Sequence, residues 1–213
     1  MIEPSNEPLW LTWAREMQSL AQIGLTFCEN PYDRARYEQL RGLAARVMAE
    51  HTDAGRQRLE SVFQAETGYA TPKVDVRGAV FQDGRLLLVR EASDGHRWTL
   101  PGGWADVNES PTDSVIKEVR EESGYEVRVR KLAAVWDRAR HAHRPPHPFH
   151  IWKLFFLCDF VGGSPQSSLE TSGGAFFAED ELPEDLSVSR VLTFQLRRMF
   201  AHMRDPDLPT EFD

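Results

Sequence analysis

The chain has 213 residues with 25 Lys and Arg against 33 Asp and Glu, and its net charge of −8 excludes nucleic-acid binding through overall charge. Apolar residues make up 41% and charged residues 27%, an ordinary soluble balance that excludes collagen-like, fibrous and disordered classes. Length alone suggests one large domain, or a compact domain with a smaller attachment.

The N-terminus, Met1-Ile2-Glu3-Pro4-Ser5-Asn6-Glu7, is acidic and polar where a signal peptide needs a basic segment followed by an apolar one. Trp10, Trp13, Met17 and Leu20 then recur at spacings of three and four, which predicts an amphipathic helix with that stripe buried. After a break at Asn30-Pro31, a second helix is expected on Tyr37, Leu40, Leu43, Ala44 and Val47, and a third on Leu59, Val62 and Phe63. A unit this small has a marginal core, so it is expected to lean on something else.

The turn-rich stretch Gly68-Tyr69-Ala70-Thr71-Pro72 marks a boundary, giving a helical domain over 1–68 and a second domain over 69–213. Val74, Val76, Ala79 and Phe81, then Asp83-Gly84, then Leu86, Leu88 and Val89 read as a β-hairpin. Further strands are expected at Tyr125–Val129, Leu132–Trp136, His150–Phe160 and Gly174–Phe177, with helices over 111–123 and about 189–203. That order predicts an α/β or α+β fold with a mixed sheet and helices packed on it. The longest apolar runs, Leu86–Val89 and Leu154–Cys158, fall far short of the roughly 20 residues that span a bilayer. Cys28 and Cys158 lie in apolar stretches and read as reduced core thiols of a cytoplasmic protein.

The most informative segment runs from Leu100 to Tyr125. Ser110 is a candidate N-cap, Pro111 fits the first helical position, Asp113 completes a capping-box-like pattern, and Gly124 is placed to end the helix. Glu118, Glu121 and Glu122 fall on one side of that helix, beside the stripe of Val115, Ile116 and Val119. Like charges one turn apart cost a few tenths of a kcal/mol per pair, about 0.2–0.5, and the helix dipole makes this end worse. A solvated acidic face is one reading. The other is a site for Mg²⁺ or Mn²⁺, because Pro101-Gly102-Gly103 brings main-chain carbonyls near, and carbonyl and carboxylate oxygens suit hard cations that also bind phosphates.

Gly103, five residues, Glu109, seven residues, then Lys117-Glu118-Val119-Arg120-Glu121-Glu122-Ser123-Gly124-Tyr125 resembles the Nudix box, Gly-x5-Glu-x7-Arg-Glu-U-x-Glu-Glu-x-Gly-U with U bulky and apolar. Two departures are Lys117 for arginine, which keeps charge and loses the planar fork, and aromatic Tyr125 for an aliphatic residue. The runs Lys73–Phe81, Trp98–Val107 and Lys153–Cys158 resemble the bacterial Nudix subgroup with a helical N-terminal domain, which includes CDP-choline and ADP-ribose pyrophosphatase-like enzymes. The resemblance implies a Nudix α/β/α sandwich from about residue 70, and a helical domain that contributes to a homodimer.

By the same resemblance, Glu118 and Glu122 are metal ligands, Glu121 is a further ligand or orients water, the Gly103 carbonyl completes the site, and Glu109 braces the loop with Lys117. Glu170, in the Gly-rich loop Leu169–Gly174, is a candidate general base, with Glu121 its competitor and a plain surface carboxylate the bland alternative. Substrate-binding candidates are Arg77, Trp104, Arg138, Arg140 and His143. Four of the seven histidines lie between residues 141 and 150; zinc there lacks cysteine and a fixed scaffold, so a positive rim or a solvated loop is expected. Trp98 is expected to pack.

The expected reaction is hydrolysis of a nucleoside-diphosphate-X, a small nucleotide substrate, to NMP and X-phosphate, assisted by Mg²⁺ or Mn²⁺. The alternatives are a nucleoside triphosphate or RNA-end pyrophosphohydrolase, and a non-catalytic ADP-ribose-type sensor whose helical domain binds DNA. Residues 1–70 carry seven arginines against ten acidic residues, which opposes DNA binding. No membrane partner and no stable nucleic-acid partner are expected.

Overall fold

The computed structural model describes residues 7–166 and 170–213; Met1–Asn6 and Leu169, read above, lie outside them. The chain divides into two compact units. One takes in residues up to Pro72 with Ala139–His141 and Pro146–His150, the other Lys73–Arg138, Ala142–Pro145 and Ile151–Asp213.

The first unit is built on α1 (Leu9–Phe27), α2 (Pro31–His51) and α3 (Arg56–Ala65). Asn30 caps α2 by accepting from the Tyr32 and Asp33 amides, with Pro31 at the first helical position. Leu11, Ala14, Ala44, Ala45, Met48, Leu59 and Phe63 form the core, and Phe149 packs against it. The buried face of α1 is Leu11, Ala14, Gln18, Ala21 and Gln22. Trp10 and Met17 of the expected stripe pack against this core, whereas Trp13 and Leu20 are 56% and 54% exposed, which corrects half of it. Small residues such as Ala14, Ala44 and Ala45 fill the core, and the large side chains at Trp13 and Leu20 face outward. Arg15 secures the appended segment by donating to the His147 carbonyl (Nε, 3.1 Å), and also pairs with Glu7.

The second unit contains β1 (Lys73–Gln82), β2 (Arg85–Glu91), β3 (Arg97–Thr99), α4 (Pro111–Ser123), β4 (Tyr125–Asp137), β5 (Ile151–Gly163), β6 (Thr171–Phe177), α5 (Thr193–Arg204) and β7 (Glu211–Phe212). The sheet runs β3-β2-β1-β5-β4-β7, with β6 paired to β2. β1 and β5 are parallel neighbours while β1–β2 and β4–β5 are antiparallel, so the sheet is mixed. Asp83 and Gly84 have φ of 51° and 75°, the left-handed pair that a tight two-residue hairpin turn needs. On one face Val76, Val80, Leu87 and Phe156 pack with Val115 and Val119 of α4. On the other, Ala79, Leu86, Leu88 and Phe155 pack with Leu196, Met199 and Phe200 of α5. The result is an α/β/α sandwich.

β4 is one strand where two were expected, because register shifts at Val129/Lys131 and Leu132/Ala134 pass over Arg130 and Ala133 while Lys131 keeps its place opposite Leu157. Helix α5 begins at Thr193, since Ser187–Val191 is closed into a turn by the Arg190 and Val191 amides on the Ser187 carbonyl. Cys158 is a buried thiol, but Cys28 is half-buried just past the end of α1, which corrects its expected core placement; both are free. Among the described residues no helix is long and apolar enough to cross a membrane.

Candidate active site

The turn Pro101-Gly102-Gly103 lies against β1. The Gly78 amide donates to the Pro101 carbonyl (2.9 Å), the Val76 amide to the Gly103 carbonyl (2.8 Å), and the Ala105 amide to the Val74 carbonyl (3.0 Å). Glycine is required twice here. At Gly102, with φ of +141°, a Cβ would stand 2.0 Å from the Val76 carbonyl oxygen; at Gly103 it would stand 2.9 Å from Oε2 of Glu118. The turn therefore touches both the strand and a carboxylate of α4.

Helix α4 presents that carboxylate because its ends are fixed locally. Ser110 accepts from the Asp113 amide, Pro111 starts the helix, and Gly124 ends it with φ of 76°. One face is apolar, through Val115 and Val119, and Glu122 at 4% exposure sits on the same buried side. Oε2 of Glu122 accepts the Gly102 amide at 2.9 Å. Burial pushes the Glu122 carboxyl up to about 8, and the nearby Glu118 and Glu91 charges add to it while Arg77 and the Gly102 amide oppose it. Burial likewise raises Glu118 to about 7, opposed by Arg77 and Lys117, with Glu121 and Glu170 adding repulsion. Two adjacent carboxylates are thus partly desolvated and short of positive charge.

Glu109 and Lys117 brace the loop before α4. Lys117 Nζ donates to Glu109 Oε1 (2.9 Å) and Asp106 Oδ2 (2.6 Å), and the Ser114 hydroxyl donates to Glu109 Oε2 (3.1 Å). Asp106 is thus a second anchor for the lysine that stands where the box has arginine. Glu121 is exposed. Glu170 is exposed as well; its carbonyl accepts the Ala92 amide (2.8 Å), and the next residue, buried Thr171, donates its hydroxyl to the Glu122 carbonyl (2.5 Å). β6 thereby ties Glu170 to the α4 end.

Three expected substrate contacts are corrected by their burial. Arg77 is 4% exposed, with Nε and Nη2 on the Asp75 carboxylate (2.9 and 2.6 Å) and Nη1 on the Leu100 carbonyl (3.2 Å). Arg138 is buried and donates from Nη2 to the Pro145 carbonyl (2.7 Å), while buried His143 sets Nδ1 2.9 Å from the Val188 carbonyl. Of the positive rim expected of the 138–148 loop, Arg138 and His143 are thus turned inward. Arg140 is half-buried and belongs to the helical unit. Trp104 is 46% exposed, with its main chain bridged to Asp75. Trp98 packs edge-on to Phe177 (4.9 Å) beneath the Arg90 guanidinium.

Sequence reasoning missed Asp75, Glu91, Lys153 and Thr171. Asp75 and Arg77 share one face of β1, and Lys153, opposite Asp75 on β5, donates to Asp75 Oδ1 (2.6 Å). The available signal was an opposite-charge pair two apart inside an apolar strand, and a lone lysine inside Ile151–Cys158. Arg77 and Lys153 hold the Asp75 carboxyl well below its usual range, against the cost of burial. Burial and the neighbouring Arg77 charge bring Lys153 down to about 8.

Among the described residues no three His, Cys, Asp or Glu side chains are arranged to hold a metal ion. Glu118, Glu122 and main-chain oxygens such as that of Gly103 are hard oxygen donors that could hold a cation beside the turn. This fits Mg²⁺ or Mn²⁺, which commonly take one or two carboxylates and complete their shell with water and phosphate.

Residues 8–63 match a family described as a UDP-X-like N-terminal oligomerisation domain, and residues 71–195 match the NUDIX domain. YjhB, a candidate ADP-ribose pyrophosphatase of Bacillus subtilis, is 44% identical over 96% of this chain and 97% of its own. The crystal structure of a UDP-X diphosphatase is 32% identical, covers 96% of this chain and 98% of its own, and superposes with a TM-score of 0.61. An ADP-ribose pyrophosphatase structure from Streptococcus suis is 38% identical over 67% of this chain and 100% of its own, with a TM-score of 0.60. With the domain match spanning more than half its length and the box residues gathered against the Gly102-Gly103 turn, the chain belongs to the Nudix hydrolases.

Proposed function

We propose that the protein is a Mg²⁺- or Mn²⁺-dependent pyrophosphatase that splits a nucleoside-diphosphate-X, of the ADP-ribose or UDP-sugar class, into NMP and X-phosphate. The observation that carries this reading is the pair of desolvated carboxylates, Glu118 and Glu122, set against a glycine turn. The names of the relatives favour a nucleotide-linked sugar over CDP-choline.

In this reading Glu118, Glu122 and the Gly103 carbonyl hold the ion. The ion supplies countercharge for the diphosphate and Lewis acidity toward water. Glu109 and Lys117 keep the loop registered on α4. Glu121 or Glu170, the exposed carboxylates whose charges act on Glu118, takes the proton from the attacking water. Trp104, half exposed beside the turn, offers a face on which a nucleobase stacks. The helical unit forms the homodimer through Trp13, Leu20 and Phe27, seven residues apart and all exposed on α1. Two free cysteines suit a reducing, cytoplasmic setting.

The test is a screen of ADP-ribose, UDP-sugars, CDP-alcohols, dinucleoside polyphosphates and NTPs with Mg²⁺ or Mn²⁺, reading phosphate after phosphatase treatment. Highest kcat/KM on ADP-ribose or a UDP-sugar is expected. Preference for NTPs would move the protein to the triphosphate class, and no hydrolysis of any diphosphate would refute the reading.

A further inference from the structure

A buried ion cluster stands behind the catalytic turn. Asp75, Arg77 and Lys153 are 6%, 4% and 2% exposed, so all three charges have left water. Buried ion pairs add little net stability, because desolvation offsets their attraction and apolar residues of similar size often do as well. The geometry supplies another role. The Asp75 carboxylate grips the Arg77 fork at two points, and the remaining Arg77 nitrogen, Nη1, reaches the carbonyl of Leu100, where the chain enters Pro101-Gly102-Gly103. That turn then donates its Gly102 amide to Glu122, and Gly103 lies directly against Glu118.

We propose that Arg77 is a positioning residue for the reaction: clamped by Asp75, its guanidinium fixes the Leu100 carbonyl and so holds the Gly102-Gly103 turn in the register that sets Glu118 and Glu122. Lys153 is the second cation on Asp75, and it keeps that carboxylate paired if the arginine is altered. The clamp needs a planar fork, because one group must meet both oxygens of a carboxylate and a main-chain carbonyl at once. Lysine keeps the charge and cannot make three such contacts in these directions. The proposal rests on the pyrophosphatase reading for its effect on turnover, while its effect on the turn is independent of substrate.

The experiment compares wild type, Arg77→Lys, and the charge-free triple variant Asp75→Leu, Arg77→Met, Lys153→Met. Steady-state kinetics is run on the best diphosphate substrate, and hydrogen exchange on the metal-free proteins. Arg77→Lys is expected to lower kcat at least tenfold with KM within about twofold, and to accelerate exchange in residues 100–103 but not across β5. The triple variant, which removes the three charges of the cluster together, is expected to melt close to wild type and yet show the same loss of kcat and the same fast exchange. It also decides the matter if Arg77→Lys does not fold. Wild-type exchange at 100–103 in a folded variant, or wild-type kcat in the triple variant, overturns the proposal. A wild type that hydrolyses no diphosphate overturns the pyrophosphatase reading instead, and the exchange result still decides the clamp.

Discussion

The amide of Gly102 donates to Oε2 of Glu122 at 2.9 Å across 20 residues of sequence, joining the glycine turn to the last turn of α4. This bond and the contact of Gly103 with Glu118 make the turn and the carboxylates one unit, and the two glycines predict different outcomes.

Gly103→Ala places a Cβ 2.9 Å from a carboxylate oxygen, the far end of a movable side chain, so Glu118 shifts and the fold holds. A drop in kcat of at least tenfold with Tm within about 2 °C is expected, since a small misplacement at the reacting centre is costly. Gly102→Ala drives a Cβ to 2.0 Å from the Val76 carbonyl oxygen at a φ suited to glycine, and backbone cannot step aside. Its expected result is a loss of several kcal/mol, roughly 3 or more, in urea denaturation. Equal Tm values for the two variants would contradict the geometry.

The Asp75 cluster predicts an asymmetry in stability. Asp75→Asn leaves two buried cations facing a neutral amide and costs about 3–5 kcal/mol, whereas Lys153→Met leaves the Asp75–Arg77 pair intact and is close to neutral. Urea midpoints of the two variants at pH 7.5 measure this directly.

Lys153 also gives a pH signature. Burial lowers its folded value to about 8 from the ordinary 10.5, so between those limits the unfolded chain binds more protons. Its contribution to stability therefore rises with pH across that window and is flat below it. Denaturation at several pH values from 7 to 10 should show a more positive slope in wild type than in Lys153→Met; identical slopes would refute the assignment.

The two cysteines should differ in reactivity. Burial pushes the Cys158 thiol up to about 12, and the thiolate is the reactive form, while Cys28 is half-buried. Iodoacetamide should label Cys28 in the native protein and Cys158 only in denaturant, as read by intact mass.

For the helical unit, Trp13→Glu with Leu20→Lys charges the exposed face of α1 and leaves its buried residues untouched. The expected outcome is a monomer by light scattering with unchanged helical circular dichroism. A native mass equal to wild type would contradict the proposed homodimer face.

What could be read from the sequence was what neighbouring residues decide. Ser110, Pro111 and Gly124 delimit α4 by local capping, and Asp83-Gly84 specifies its turn by backbone conformation alone. The face of α1 was not legible in the same way, because helical period identifies a stripe but not which of two apolar stripes goes inward. The stripe of Leu11, Ala14 and Ala21 is buried, and Trp13 and Leu20 are left outside. The Asp75–Lys153 contact spans 78 residues and depends on β1 and β5 becoming parallel neighbours, which no local pattern states. Arg77, Arg138 and His143 were read as surface contacts for a similar reason: their partners, such as Leu100 and Val188, arrive only through tertiary structure.

The most direct test of the central claim is turnover of Glu122→Gln at saturating Mg²⁺ on the substrate selected by the screen. The amide keeps the size of the side chain and an oxygen for the Gly102 amide, so circular dichroism and Tm should match wild type. Losing the carboxylate charge removes metal-assisted stabilisation of the transition state, worth several kcal/mol, so kcat should fall at least about a hundredfold. A folded Glu122→Gln protein with near-normal kcat would contradict the assignment of these carboxylates as the site of the reaction.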